Sequence, residues 1–227
     1  MLERRLRAAA RGDERHLPER MCKAVGEALP VEAVSMTLFT HLPEAQLLCA
    51  SHDLAVRLAE LQFETGQGPS VAASATGQPA IWGDVSEVRA AWPVFGSLVR
   101  EQLPRIGALY AIPLLVGRAC LGSLDLARGT PMDPGARLRG EMLRGARAAA
   151  EILNAVLSTA PWPHWQPAEI IDTHWNSAHR ASGKLAELGG VPPSLALDWM
   201  RARAFASGRP LPELADEILR STRPDPP

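Results

Sequence analysis

The stretch IGALYAIPLLVGRACLGSLDLA, residues 106–127, decides the fold. It consists of two apolar runs, 106–116 and 119–127, which are separated by the pair Gly117-Arg118. A pair that contains glycine suits the tight turn of a β-hairpin. The stretch therefore predicts two neighbouring antiparallel strands.

Shorter strands and helices are predicted on both sides of this hairpin. Strands are predicted at residues 34–40, 47–51 and 79–82. Helical spacing of apolar residues is found in residues 4–29, 54–63, 71–76 and 94–102. Short antiparallel strands with helices inserted between them predict an α+β fold rather than a parallel sheet.

Residues 134–158 predict one long helix with two apolar stripes. The first alternates steps of three and four, as a coiled-coil seam does, and consists of Gly135, Leu138, Met142, Gly145, Ala149, Ile152 and Val156. The second consists of Leu143, Ala146, Ala150, Leu153 and Leu157. If one stripe covers the sheet, the other can meet a second copy, which predicts a homodimer. The alternative is one broad core-facing surface without a dimer.

The chain changes character after this helix. Three prolines and two tryptophans lie within residues 160–167, which predicts a linker. Beyond it, three segments with apolar stripes at helical spacing follow one another, interrupted at Gly189-Gly190 and at Gly208-Arg209-Pro210. Three such helices predict a small all-α bundle.

Composition narrows the class of protein. The chain has 227 residues, 46% of them hydrophobic, and its 24 basic and 25 acidic residues give a formal charge of −1. No global positive field therefore attracts nucleic acid or membrane. Neither a signal peptide nor a spanning segment is expected, which predicts a soluble, cytoplasmic protein. Three widely spaced cysteines without a CxxC pair argue against a disulfide framework and a zinc site. Cys49 and Cys120 lie in apolar runs and are expected to be small buried side chains.

Two families are similar to the two halves of the chain. Residues 1–158 resemble a GAF domain, the PAS-related sensory fold, on LAELQFETGQGPSVAASATGQPAIWGD, on WPVF at Trp92–Phe95 and on YAIPLLVGRACLGSLDLAR. Residues 168–222 resemble an ANTAR domain, a three-helix RNA-binding antiterminator module, on AHRASGKLAELGGVPPSLALDWMRARAF and GRPLPELADEIL. Between them lies the linker at 159–167, and residues 223–227 are expected to form a disordered tail.

The resemblance implies a transcription regulator. Such proteins bind hairpins in nascent messenger RNA and prevent a terminator stem from forming, and their sensory domain gates this step. Basic side chains on phosphates are the chemistry that RNA binding needs. The expected RNA-binding residues are Arg180, Lys184, Arg201, Arg203 and Arg209.

Two features argue against a strong RNA face. Residues 161–227 hold seven basic and eight acidic side chains. The first helix reads Arg180-Ala181-Ser182-Gly183 where the family commonly has Gln-Ala-Lys-Gly, so a basic residue is lost at Ser182. The alternative is therefore a ligand-sensing or protein-docking protein whose bundle no longer binds RNA. A bundle that reads duplex DNA is disfavoured by its near-neutral charge and its turn sequence GGVPPS.

The sensory half offers weak indications of a ligand. Aromatic residues that could line a GAF pocket are Trp82, Trp92, Phe95 and Tyr110, although core packing explains each equally well. No cofactor or metal is predicted, and an unknown small ligand stays open.

Catalytic motifs are missing from the sequence. It has neither a GxSxG elbow nor an HExxH pair, which predicts that the protein is not an enzyme. Asp125, within GSLDL, is a carboxylate flanked closely by apolar residues. Strand alternation predicts that it lies on the outer face of the sheet with a structural role.

Overall fold

The computed structural model describes residues 1–39, 45–159 and 174–221. The predicted linker beyond residue 159, the first six residues of the predicted C-terminal domain (168–173) and the predicted tail at 223–227 lie outside the described residues.

A five-stranded antiparallel sheet forms the centre of the N-terminal part. Its strands are β1 (Ala33–Phe39), β2 (Ala45–Ala50), β3 (Ala80–Trp82), β4 (Ala108–Val116) and β5 (Ala119–Arg128). Their order across the sheet is β2-β1-β5-β4-β3. The predicted hairpin is β4 and β5, and Gly117 takes the positive φ of 61° that their turn requires. The α+β prediction is confirmed.

Helices cover both faces of this sheet. They are α1 (Leu2–Ala9), α2 (Leu17–Ala28), α3 (Asp53–Thr65), α4 (Pro69–Thr76), α5 (Val88–Ala91), α6 (Pro93–Gln102) and α7 (Ala136–Thr159). One core lies between the sheet and α1, α2 and α7, and another lies beneath α3, α5 and α6. We call residues 1–159 the sheet module.

The predicted helix over residues 4–29 is two helices. Between α1 and α2 the chain bends at Gly12 and passes through a 3-10 turn at Glu14–His16. Asp13 caps that turn, since its carboxylate accepts a hydrogen bond from the backbone N–H of Arg15 at 3.0 Å. The break allows α1 to pack against α7, so the N-terminus lies beside the long helix.

The long helix α7 buries most of its two stripes within the sheet module. A Cβ on Gly145 would meet Leu2 of α1 at 2.1 Å, so this glycine permits a close approach of the two helices. Met142 and Ala149, from the same stripe, are also fully buried. In the second stripe Leu143 is 47% exposed. The homodimer stays a prediction.

A disulfide links helix α2 to strand β2 within the core that α1, α2 and α7 cover. Cys22 of α2 and Cys49 of β2, both buried, are bonded although 27 residues separate them. The sequence argument against a disulfide is therefore wrong for this pair. Spacing along the chain reports only local motifs, whereas packing of α2 against β2 brings the two Cα atoms to 6.4 Å. Cys120 is a free thiol.

The C-terminal part is a three-helix bundle, which we call the bundle (residues 174–221). Its helices are α8 (His174–Gly189), α9 (Pro193–Ser207) and α10 (Leu211–Arg220). Their apolar stripes share one core, which includes Leu185, Met200 and Leu214. Gly208 ends α9 in the left-handed conformation, with φ 64°. Within the described ranges, no helix combines the length and the apolar character that crossing a bilayer requires.

Asp125 is buried at the middle of the sheet, which corrects the expectation that it faces outward. Its side chain is 4% exposed and lies on β5 beneath α3 and α4, which contribute Leu58, Gln62 and Ser70 to its surroundings. Ser123 donates a hydrogen bond to Oδ2 at 3.1 Å, and Oδ1 has no hydrogen-bond partner among the described residues. Strand alternation does not tell an outer face from one that helices cover.

Burial raises the pKa of Asp125 from 3.8 to about 7, and the nearby serine hydroxyls oppose this only in part. The folded chain therefore binds a proton that the unfolded chain releases between these two values. Stability from this group is present in acid and is lost as the pH rises towards and through 7.

We expect Asp125→Asn to remove this pH dependence. The free energy of unfolding of the variant minus that of the parent should rise by about 3 kcal/mol from roughly pH 5 to pH 9. Urea unfolding of both proteins at the two pH values measures the difference, in which other titrating groups cancel. A difference that stays constant with pH would show that Asp125 is ionised in the folded protein throughout.

Candidate functional site

The bundle docks on the sheet module around Phe63. The ring of Phe63 stacks on that of Trp175 with centroids 4.5 Å apart and meets the ring of His179 edge-on at 5.1 Å. His179 also contacts β2, because its Nε2 lies 3.1 Å from the carbonyl oxygen of Ala45. Leu47 and Ala59 of the sheet module are buried in the core of the bundle. The two parts therefore share one apolar interface.

Arg201 adds a polar contact to this interface. Its Nε donates to the carbonyl oxygen of Phe63 at 2.9 Å, and its guanidinium carbon lies 5.4 Å from the centroid of the Phe63 ring. Its Nη1 donates to Asp198 at 2.8 Å. Burial lowers the pKa of Arg201, and the pair with Asp198 offsets that effect only in part. The Phe63 carbonyl lies near the end of α3, where it also accepts the backbone N–H of Gly66 at 3.4 Å.

Lys184 acts inside the bundle. Its Nζ donates to the carbonyl oxygens of Ile218, Leu219 and Ser221 at 2.9, 3.2 and 2.6 Å. These carbonyls belong to the end of α10, which carries the negative end of the helix dipole. The ammonium has three N–H donors and uses them there. Lys184 therefore fastens α10 to α8.

The other predicted RNA-binding residues lie elsewhere on the bundle. Arg209 pairs with Glu217 at 2.6 Å and with Glu213 at 3.9 Å. The guanidinium carbon of Arg203 lies 5.0 Å from the centroid of the Trp199 ring. The hydrogen bond and charge of Arg209 lower the pKa of Glu217, and the charges of Arg203 and Arg220 contribute more weakly. Arg180 is exposed on α8.

The structure thus divides the five predicted residues. Arg209 pairs with two glutamates and Arg203 lies over Trp199. Arg201 is turned towards the sheet module, and Lys184 caps the end of α10. In the conformation described, they do not form one continuous basic surface.

The four aromatic residues predicted to line a pocket also separate. Trp82, Trp92 and Phe95 pack edge to face on one side of the sheet, with centroids 5.2 Å apart for the first pair and 6.4 Å for the second. Tyr110 belongs to the core on the opposite side, where its hydroxyl donates to the carbonyl oxygen of Met132 at 2.6 Å. The cavity beside Asp125 measures about 10 Å³, enough for about one water molecule.

Sequence reasoning missed the docking surface on α3. The predicted stripe of Leu54, Leu58 and Leu61 faces the sheet module's core, as expected. A second stripe, Val56, Ala59 and Phe63, repeats at steps of three and four and faces the bundle. This second stripe is the sequence pattern from which the docking surface could have been predicted. A helix with two apolar stripes needs a partner on each side.

Comparison with known proteins identifies the fold of the sheet module. Neither a protein-family model nor a curated protein matches the chain. The GAF domain of a phosphoenolpyruvate-protein phosphotransferase from Coxiella burnetii matches with a TM-score of 0.56 and 15% identity, over 69% of this chain and 93% of that one. The corresponding GAF domain from Acinetobacter matches with a TM-score of 0.52 and 10% identity, over 71% and 95%. The N-terminal part of the chain has the GAF fold.

The exclusion of an enzyme is overturned by a third match. The structure of the free methionine-R-sulfoxide reductase of Staphylococcus aureus in its reduced form matches with a TM-score of 0.51 and 11% identity, over 67% of this chain and 92% of that one. The same fold therefore supports catalysis in another protein. Missing GxSxG and HExxH motifs do not exclude an enzyme on this fold.

We expect the hydrogen bonds of Lys184 to the end of α10 to stabilise the bundle. Lys184→Met keeps the aliphatic stem but removes three hydrogen bonds to helix-end carbonyls, so the bundle should lose about 1–3 kcal/mol of stability. Urea unfolding followed by far-ultraviolet circular dichroism measures the loss. Arg180→Met, one turn earlier on α8 and exposed, is the matched control and should change little. Equal stability of the two variants would mean that Lys184 serves another role.

Proposed function

We propose that this protein is a regulator in which the bundle binds hairpins in nascent messenger RNA and so causes transcription antitermination. The GAF-fold sheet module gates that binding by holding the bundle in the docked arrangement. RNA binding then requires release of the bundle.

The observation that carries this proposal is the position of Arg201. A side chain expected to contact RNA donates instead to the Phe63 carbonyl of the sheet module. Its side chain is 20% exposed, so RNA phosphates have little access to it. Because α9 also buries Leu197 in the shared interface, a change in the sheet module that releases Phe63 also releases α9.

Two aromatic side chains of α9 support RNA as the partner. Phe205 is 70% exposed and lines a groove together with Arg201 and Arg209. Trp199, on another face of α9, is partly exposed beneath Arg203. Aromatic side chains beside arginines are the groups on which unstacked RNA bases and their phosphates are commonly held. Arg201 and Arg209 line the same groove as Phe205, so release of Arg201 from the sheet module would leave two arginines beside an exposed aromatic ring.

One observation favours the second candidate, a regulator whose bundle docks to protein and has lost RNA binding. Arg209 is paired with two carboxylates and Lys184 with three carbonyls, so both charges are satisfied within the chain. Exposed pairs such as those of Arg209 exchange readily, because they contribute little free energy. The two candidate functions therefore predict different affinities of the bundle for RNA.

Undocking should strengthen RNA binding. Ala59→Glu places a charge in the buried interface without altering the bundle, so its affinity for an RNA of two hairpins should rise at least about fivefold over the parent's. Fluorescence anisotropy across a salt series measures it. Ala75→Glu adds the same charge at an exposed position of α4 and should leave the affinity unchanged.

Further variants identify the surface. In the undocked protein, Arg203→Ala and Arg209→Ala should each weaken binding and reduce its salt dependence by about one unit of slope. Arg100→Ala, on the sheet module, should do neither. Absence of RNA binding by both parent and Ala59→Glu at low salt would refute the RNA proposal and favour protein docking. Equal binding to duplex DNA would refute specificity for RNA.

A further inference from the structure

A cavity of about 330 Å³ lies between the sheet module and the bundle. Strands β1 and β2 and helices α3 and α4 form one wall, and α8 and α9 form the other. Its volume is within the range of pockets that hold small molecules. It is distinct from the cavity of about 10 Å³ inside the sheet module, although Gln62 and Ser70 contribute to both.

Most of the cavity surface is apolar, and part of it is aromatic. The stacked rings of Phe63 and Trp175 form one side. Other apolar side chains on its surface are Phe39, Ala59, Val71 and Leu197. Such a surface favours a flat apolar molecule over a sugar or a phosphate.

One cation lies at this surface with incomplete compensation. Arg201 uses Nε for the Phe63 carbonyl and Nη1 for Asp198, and within the described ranges its Nη2 makes no hydrogen bond. Asp198 is its ion-pair partner, but that side chain is 67% exposed and its charge is screened by water. Burial outweighs this pair, as the lowered pKa of Arg201 shows. A second negative charge inside the cavity would stabilise the guanidinium.

Two polar, uncharged side chains also line the cavity. Gln62 and Ser70 are both buried there, and Gln62 Oε1 accepts the backbone N–H of Ser70 at 2.8 Å. The Ser70 hydroxyl lies near enough to Asp125 to favour its charged form, yet it meets hydrogen-bond geometry with no described group. Because its oxygen is buried and lies near Asp125, the Ser70 hydroxyl is closed to a ligand in the cavity.

We propose that the cavity between the sheet module and the bundle binds a small aromatic carboxylate, whose ring lies against the Phe63–Trp175 pair and whose carboxylate pairs with Arg201. Both walls contact this ligand, so it binds the docked arrangement and stabilises it. The binding site does not depend on whether the bundle binds RNA.

The first test uses the unmodified full chain and three probes of one shape. Isothermal titration calorimetry compares 2-naphthoate with the neutral 2-naphthamide and the cationic 2-naphthylmethylamine. We expect 2-naphthoate to bind at least about tenfold more tightly than 2-naphthamide, because a buried ionic hydrogen bond distinguishes them. The amine should not bind measurably. Equal affinity of the acid and the amide, or no binding of the acid at millimolar concentration, overturns the proposal.

Variants locate the site. Arg201→Gln should reduce the affinity for 2-naphthoate to that for 2-naphthamide, whereas Arg203→Gln, on the same helix but outside the cavity, should leave both unchanged. Ala59→Leu fills the cavity with an apolar side chain and should abolish binding of both probes. Circular dichroism confirms that each variant is folded. Loss of 2-naphthoate binding in Arg203→Gln, or full binding in Ala59→Leu, would place the probe elsewhere and refute the site.

Thermal unfolding gives a readout of the docked arrangement. 2-Naphthoate should raise the melting temperature of the parent and not that of Ala59→Glu, in which the wall is disrupted. An equal rise in both proteins would contradict a site formed by both parts. Failure of RNA binding in every variant would refute the proposed function and leave this result intact.

Discussion

The attachment of the bundle to the sheet module depends on Phe63. Its ring contacts Trp175, His179 and Arg201, and its carbonyl oxygen accepts a hydrogen bond from the Arg201 guanidinium. The aromatic contacts bring apolar area out of water, while the hydrogen bond adds a second, charged donor to a carbonyl that also accepts the Gly66 N–H. Both contributions require Phe63 at the position that α3 gives it. A shift of α3 on the sheet therefore changes the position of the bundle without any change inside the bundle.

Two cations of the bundle find their partners within the bundle. Arg209 lies between two glutamates, and Lys184 contacts the negative end of a helix dipole. Local pairing of this kind lowers the field at a distance, because these two cations each have an anion or a carbonyl within a few ångström. Recognition by this surface would therefore rely on contacts at short range more than on attraction over long distances.

Most of the fold can be predicted from the spacing of apolar residues and from the turn residues. The runs around Gly117 predicted β4 and β5, and the apolar stripes after residue 174 predicted three helices, because burial of one face imposes a repeat on the sequence. Features that depend on distant neighbours were not predictable. Cys22 and Cys49 meet only once α2 covers β2, and Asp125 is buried only because α3 and α4 lie above it. The role of Arg201 was also hidden, since its partner lies 138 residues away in the chain.

The scarcity of lysine has a practical consequence. The sequence contains two lysines, Lys23 and Lys184. Lys23 is exposed on α2, while Lys184 is partly buried and its amine donates to carbonyl oxygens at the end of α10. Acylating reagents need a deprotonated, accessible amine, so Lys23 reacts in the folded protein and Lys184 reacts as α10 separates from α8. The ratio of label at the two positions thus records opening of the bundle, with one residue as the internal standard for the other.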